Sequence, residues 1–188
     1  PCDAGGNASP ALDVEMARMT ARWRDWLGEP VEVGAARIAD YPILAQERML
    51  VANAVPHRQH EFATGRWLAR NGMRRFGLAD QVIGVGRLRN PLWPPTIVGS
   101  ISHDREVCMV ALQQQNRAAG IGIDVFYLPQ RHGRMQELLP AFMTSTAELA
   151  LAAKMAATAA VAPLVLDPAA LLFSLKEAML KALSFRLD

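Results

Sequence analysis

The sequence predicts an α+β fold, and three observations carry that prediction. Apolar residues recur at helical spacing in long segments near the start, the middle and the end of the chain. Between the second and third of these lie short β-type runs, the strongest from Ile97 to Phe126. The 188 residues are 51% hydrophobic and 20% charged, which is enough apolar surface to collapse into a core. A disordered or low-complexity chain is ruled out on that composition. The length accommodates one globular domain or two small lobes sharing an interface.

The elements follow in order. Pro1 to Pro10, rich in Gly, Ala, Asn and Pro, reads as a loose tail. Leu12 to Leu27 is a helix, with Val14, Met19, Trp23, Trp26 and Leu27 at helical spacing and Gly28 and Pro30 as its stop. Val31 to Ile38 alternates as a strand, and Pro42 to Val55 is ambiguous. Pro56 opens a long helix through Arg75, ended by Gly77, with Phe62, Trp67, Leu68 and Met73 turned inward. The prolines of Asn90 to Pro95 force an extended path. Strands are expected over Ile97–Ser102, Val107–Leu112 and Gly120–Phe126, and helices over Arg134–Met143 and Ser145–Ala160. Asp167 and Pro168 supply the N-cap and N1 of a last helix, whose apolar set is Leu171, Leu175, Ala178, Met179, Ala182 and Leu183.

Charge is nearly balanced, with 20 Lys+Arg against 18 Asp+Glu, but it is unevenly placed. His57 to Arg89 holds seven arginines against Glu61 and Asp80, a local +5 that leaves −3 for the rest. Such a field attracts an anionic partner, although a solvated arginine face has the same composition. The basic run lacks interleaved aromatics, so nucleic acid is not expected. Cys2 and Cys108 are too few and too far apart for a disulfide framework or a zinc site, and a reducing cytoplasm is the expected location. Leu149 to Leu166, the most apolar stretch, carries Lys154 and Pro163, so no membrane span is expected. No secretory pattern opens the chain, which begins at Pro1 rather than Met.

Four clusters carry chemistry. Arg58 and Arg66 lie eight positions apart on the long helix, so both guanidiniums can point one way and grip a phosphate, with Arg70 one turn on. A salt-bridged surface helix is the plain alternative. Gly99 to His103 (GSISH) ends a strand with a histidine able to meet a phosphate or move a proton, though a lone histidine is more often structural. Gly120 to Asp124 (GIGID) is an apolar run ending in a carboxylate that needs a donor, a cation or a metal, or that simply caps a turn. Its glycines allow close approach of another backbone. Phe173 to Lys181 has Ser174 and Glu177 at capping-box spacing and Glu177 and Lys181 as an i,i+4 pair, a complete structural explanation by itself. Yet the chain has only three lysines beside seventeen arginines, and Lys176 and Lys181 are two of them. Taken together, Asp124 and Glu177 suit a hard divalent cation, with the basic side chains for phosphates.

The order and spelling of these motifs resemble the 4′-phosphopantetheinyl transferases of the monomeric, two-lobed type that activates enterobactin and surfactin synthetases. The matching runs are Arg58 to Arg66 (RQHEFATGR), Arg89 to Pro94 (RNPLWP), GSISH, Gly122 to Asp124 (GID) and Phe173 to Ala182 (FSLKEAMLKA), which lie within a span from Arg58 to Ala182, about two-thirds of the chain. The RNPLWP run before GSISH is closest to the enterobactin type. The resemblance implies two pseudo-symmetric α/β lobes with the site between them, residues 1–115 on the coenzyme A 3′-phosphate side and 116–188 carrying the carboxylates. The boundary falls near Gln113 to Ala118. It implies transfer of the phosphopantetheine arm of coenzyme A to a serine of an acyl or peptidyl carrier protein, in polyketide, nonribosomal peptide or fatty-acid synthesis. Arg58, Arg66 and Arg89 (or Arg87) would take the 3′-phosphate. Ser102, His103, Lys176 and Lys181 would meet the phosphates. Asp124 and Glu177 would hold Mg²⁺, or Mn²⁺ on the same oxygens. Glu177 would also deprotonate the serine, so the implied catalytic set is Glu177, Lys181 and His103.

Two departures bear on this. The family's usual Gly-Ile-Asp-x-Glu has Phe126 at its last position here. That change leaves open a homologue that binds coenzyme A or a carrier protein without transferring the arm. The chain also stops at Asp188, where the resemblance implies further strands of the second lobe, so the sequence reads as trimmed or that lobe as abbreviated.

Overall fold

A computed structural model describes residues 10–28, 31–116, 119–126, 142–143, 145–159 and 168–184. The helix expected over Arg134–Met143 therefore lies outside the described residues, except for Phe142 and Met143. Among the described residues no helix is long and apolar enough to cross a membrane.

Helix α1 (Pro10–Leu27) leads into strand β1 (Glu32–Arg37), with Gly28 between them at φ +68°. That left-handed conformation, open to glycine at no steric cost, lets its N–H bond the Arg24 carbonyl and close the helix. The ambiguous stretch contains one short helix, α2 (Ala45–Met49). Helix α3 (Pro56–Met73) starts with proline at N1 and tightens into a 3₁₀ turn (Arg74–Phe76) before Gly77 at φ +72° stops it. A small hairpin, β2 (Gly84–Val85) and β3 (Pro91–Leu92), precedes the main hairpin of β4 (Ile97–Asp104) and β5 (Val107–Gln114).

The main sheet has the order β1-β5-β4, antiparallel throughout, and its register sorts the side chains. Ala36 pairs with Cys108 and Gly99 with Leu112, so Ala36, Cys108, Val110, Leu112 and Ile97 share one face. Leu68, Ala69 and Met73 of α3 bury against that face together with Ile83. On the other face Val33, Met109 and Ala111 bury with Ile123, while Met19 and Leu27 of α1 pack around them. Burying this apolar area on both faces is what holds a sheet of only three strands together.

Gly120–Phe126 is not a strand. Its backbone N–H groups at Ile123 and Val125 donate to the hydroxyls of Ser100 (3.1 Å) and Ser102 (3.0 Å) instead of joining a ladder. The hydroxyls satisfy the backbone, so the alternation of the sequence is realised as an extended segment tied to β4 by side chains.

Two helices follow. In α4 (Thr146–Ala159) the capping box is Ser145 with Glu148, each side chain accepting the other's backbone N–H at 3.2 Å. In α5 (Pro168–Leu183) Ser174 lies mid-helix, so Ser174 and Glu177 are not the capping box that their spacing suggested. Gly122 fits against α5: a Cβ there would overlap the Ala178 carbonyl and come within 2.9 Å of the Ala182 nitrogen. The close backbone approach expected of that glycine is an approach to this helix.

Candidate active site

Arg58, Glu61, Phe62, Gly65 and Arg66 follow helical spacing along one side of α3. With Ile101 and His103 of β4 they line a cavity of about 300 Å³, closed at its far side by Val85, Arg89 and Pro91 of the small hairpin. Gly65 brings the helix down onto the strand, since a Cβ there would lie 2.9 Å from Ile101 Cγ2. The walls carry three guanidiniums and one imidazole against a single carboxylate, so the cavity attracts anions.

The arginines differ in how they are held. Arg66 is buried, and its Nε and Nη2 donate to the carbonyls of Ile83 (3.0 Å) and Gly84 (2.9 Å). Its guanidinium also lies 4.3 Å from the Phe62 ring centroid. Burial lowers its pKa to about 10, against the pull of Glu47, and it stays charged at neutral pH. Arg58 is half-exposed, and its Nη1 donates to Glu61 Oε2 and meets His103 Nε2, both at 2.9 Å. Arg89 is exposed, and its guanidinium pairs with no described residue. It stands at φ +62°, a left-handed conformation that costs a non-glycine residue on the order of 1 kcal/mol. Arg70 does not share the cavity; its Nη2 donates to the fully buried Glu47 at 2.6 Å. The same Glu47 carboxylate accepts the Ile83 N–H at 3.0 Å and so braces the loop that holds Arg66.

Asp124 lies on the opposite face of β4. Its Oδ1 accepts from Lys181 Nζ (2.6 Å) and Ser102 Oγ (3.1 Å), and its Oδ2 from Ser174 Oγ (2.9 Å). Lys181 also donates to Ser102 Oγ at 2.9 Å. Glu177 is half-buried and has no hydrogen bond or ion pair with a described residue. Lys176 turns away from this network, to Glu148 of α4 at 2.5 Å and to the Phe142 carbonyl. Among the described residues no group of three His, Cys, Asp or Glu could hold a metal ion. Arg58, Arg66, Arg89 and His103 are thus brought together, and Ser102, Asp124 and Lys181 form a second group. Lys176 belongs to neither.

The sequence pattern assigns no site role to Glu61 or Glu47, and it offers Ser174 only as a helix cap, not as the partner of Asp124. The i,i+3 spacing of Arg58 and Glu61 was the available signal for the first. Glu47 lay in the ambiguous stretch, and nothing local marks a glutamate that will be buried.

Residues 46–113, which hold most of α2, all of α3 and the β2–β5 hairpins but for Gln114, match the family model of the 4′-phosphopantetheinyl transferase N-terminal domain. Over those residues the chain resembles the 4′-phosphopantetheinyl transferase superfamily. Among its relatives is the 4′-phosphopantetheinyl transferase Svp of Streptomyces mobaraensis, 40% identical over 82 residues, 44% of this chain and 33% of that protein. Enterobactin synthase component D of Salmonella typhimurium is 34% identical over 129 residues, 69% of this chain and 50% of that protein. The 4′-phosphopantetheinyl transferase Npt of Nocardia iowensis is 31% identical over 99 residues, 50% and 45% of the two chains. The matched part of this chain thus spans a third to a half of these relatives' lengths.

Proposed function

We propose that this chain carries the site of a 4′-phosphopantetheinyl transferase, moving the arm of coenzyme A to a serine of an acyl or peptidyl carrier protein. The observation that carries this reading is the cavity in which Arg58, Arg66, Arg89 and His103 converge, within the residues that match the N-terminal domain of that family. In it Arg58 and Arg89 grip the 3′-phosphate, Arg66 shapes the wall from its buried seat, and His103 meets a phosphate. Across β4, Ser102 and Lys181 supply further donors, and Glu177, a carboxylate with no partner among the described residues, is the base. The acceptor hydroxyl gives its proton to Glu177, directly or through water, and forms the new O–P bond. The P–O bond to the nucleotide breaks, and 3′,5′-adenosine bisphosphate leaves with the electron pair. Such a transfer depends on positioning and charge neutralisation rather than on covalent catalysis. Lys176 has the least support as a phosphate contact, because Glu148 and the Phe142 carbonyl hold it.

The donor set also bears on a metal. A carboxylate offers about four acceptor positions; Asp124 uses three, and Glu177 uses none toward described residues. Two hard oxygen ligands of this kind fit Mg²⁺ or Mn²⁺, held by Asp124 and Glu177 and completed by water and substrate oxygen. When bound, the ion would neutralise phosphate charge. Carrier domains of polyketide, nonribosomal peptide or fatty-acid synthases are the partners on this reading, and a monomer in the cytoplasm is its setting. The two-lobed arrangement, 1–115 and 116–188, belongs to the same proposal.

A second reading, coenzyme A or carrier binding without transfer, is favoured by Phe126 and by the Lys181 ammonium already seated on Asp124. Intact-mass measurement on apo carrier proteins incubated with the chain, coenzyme A and Mg²⁺ separates the two. Addition of the phosphopantetheine mass is expected. No addition across several carriers, with coenzyme A still bound, would leave the second reading.

A further inference from the structure

His103 projects from β4 toward α3 and meets two groups there. Its Nε2 lies 2.9 Å from Arg58 Nη1, and a guanidinium only donates. Nε2 therefore holds a lone pair, and the ring proton sits on Nδ1, 3.3 Å from Glu61 Oε1. Glu61 is the hub of the cluster: its Oε2 takes Arg58 at 2.9 Å, its Oε1 also takes His57 at 3.1 Å, and its side chain is 14% exposed. As it stands, the imidazole is neutral and its Nε2 is an acceptor. A phosphate oxygen is an acceptor too, so the two repel unless a proton arrives between them.

We propose that Glu61 is a positioning residue that holds His103 and Arg58 for a phosphate, and that His103 takes up one proton from solvent at Nε2 when the anion binds. This rests on the reading of the cavity as the coenzyme A phosphate site. The anion draws Arg58 off Nε2, which frees that nitrogen. The new Nε2–H then donates to the phosphate while Nδ1–H donates to Glu61, so the imidazolium lies between two negative groups. Without the anion the surroundings favour the neutral ring. Burial, the largest cause, lowers the His103 pKa below its ordinary 6.5, and Arg58 and His57 of α3 and Lys181 of α5 act the same way against Glu61. Arg89 of the hairpin adds positive charge to the same cavity. Cys108, its register partner on β5, is neutral, since burial pushes the thiol up to about 12. The sign follows: near neutral pH the free ring is unprotonated and the bound ring protonated, so affinity falls as pH rises through the pKa of the bound ring.

Titration calorimetry of the full chain with coenzyme A, at one pH near 7.5 in buffers of different ionisation enthalpy, reads the proton directly. Uptake of about half a proton or more is expected for the wild type, and none for His103→Asn. Glu61→Gln should bind about tenfold more weakly and lose the uptake, because its amide accepts Nδ1–H but supplies no charge. A merely structural glutamate would not move the proton count. Dephospho-coenzyme A, which lacks the 3′-phosphate, separates the sources: uptake lost with it assigns the proton to the 3′-phosphate, and uptake kept assigns it to the pyrophosphate. Wild-type binding without uptake, or full uptake in Glu61→Gln, overturns the proposal and leaves the cavity reading intact. Absence of any coenzyme A binding overturns both. Should Glu61→Gln fail to fold, the wild type and His103→Asn still decide.

Discussion

The two faces of β4 are built from one short run of sequence and behave in opposite ways. Ile101 and His103 look toward α3, into a cavity where arginines exceed carboxylates and the Arg89 guanidinium has no described partner. Ser100 and Ser102 look the other way, into a network where each hydroxyl and each Asp124 oxygen is engaged. The first face is open and positive, poised for an anion. The second is closed and neutral, because Lys181 already sits on Asp124. Alternation along a strand keeps the two environments apart within one pentapeptide. A reaction that needs both must open the second, and that asymmetry can be tested one residue at a time.

Asp124→Ala attacks the closed face most directly. It strands Lys181, whose side chain is 29% exposed, with Ser102 as its remaining recorded partner. Breaking a largely buried pair costs about 3 kcal/mol, which denaturant unfolding would read. Transfer to a carrier protein should fall by about a hundredfold or more, by analogy with removing a group that stabilises developing charge. Coenzyme A affinity should fall far less than transfer, by about tenfold at most, since Arg58, Arg66 and Arg89 of the open face keep their places and only the donors shared through Ser102 and Lys181 are disturbed. If affinity collapses together with transfer, the two faces are not separable.

Gly122→Ala tests how the closed face is assembled. Its Cβ would overlap the Ala178 carbonyl, which is backbone and cannot swing aside, so α5 must shift and carry Lys181 away from Asp124. Overpacking of this kind costs about 2 kcal/mol. Gly65→Ala is the matched control on the open face, where the obstacle is the Ile101 side chain at 2.9 Å and a rotamer change relieves it. Denaturation should show the Gly122 variant losing more stability than the Gly65 variant. The reverse order would mean that the contact with α5 does not hold that helix in place.

Much of this division was legible in the sequence. Proline at N1 and glycine at C′ marked α3 and its end, and the strands over Ile97–Ser102 and Val107–Leu112 stand almost as read. Arg58, Arg66 and His103 meet because helical spacing and strand alternation are local rules. What was not legible depends on contacts distant in sequence. Gly120–Phe126 alternates like a strand, but serine hydroxyls from β4 take its N–H groups before a ladder can form. Ser174 and Glu177 have the spacing of a capping box, but the helix begins at Pro168, and Ser174 instead reaches Asp124, 50 residues away. Glu47 gave no signal because its partners, Arg70 and Ile83, are 23 and 36 residues off.

Lys176→Met is the mildest and most discriminating substitution, because spacing groups this lysine with Lys181 while packing separates them. Lys181 turns to Asp124; Lys176 turns to Glu148 and the Phe142 carbonyl, beside the edge-on contact of Phe142 and Phe173. Both charges of the Lys176–Glu148 pair are partly exposed, 38% and 26%, so solvent screens it. Its loss should therefore cost about 0.5 kcal/mol. Methionine keeps most of the apolar stem, so packing between α4 and α5 survives. The KM for coenzyme A should move by less than about threefold, a value set by the small energy of a screened pair. A tenfold rise in that KM with stability unchanged would show that Lys176 leaves Glu148 for a phosphate when substrate binds, and would place it with the cations of the open face.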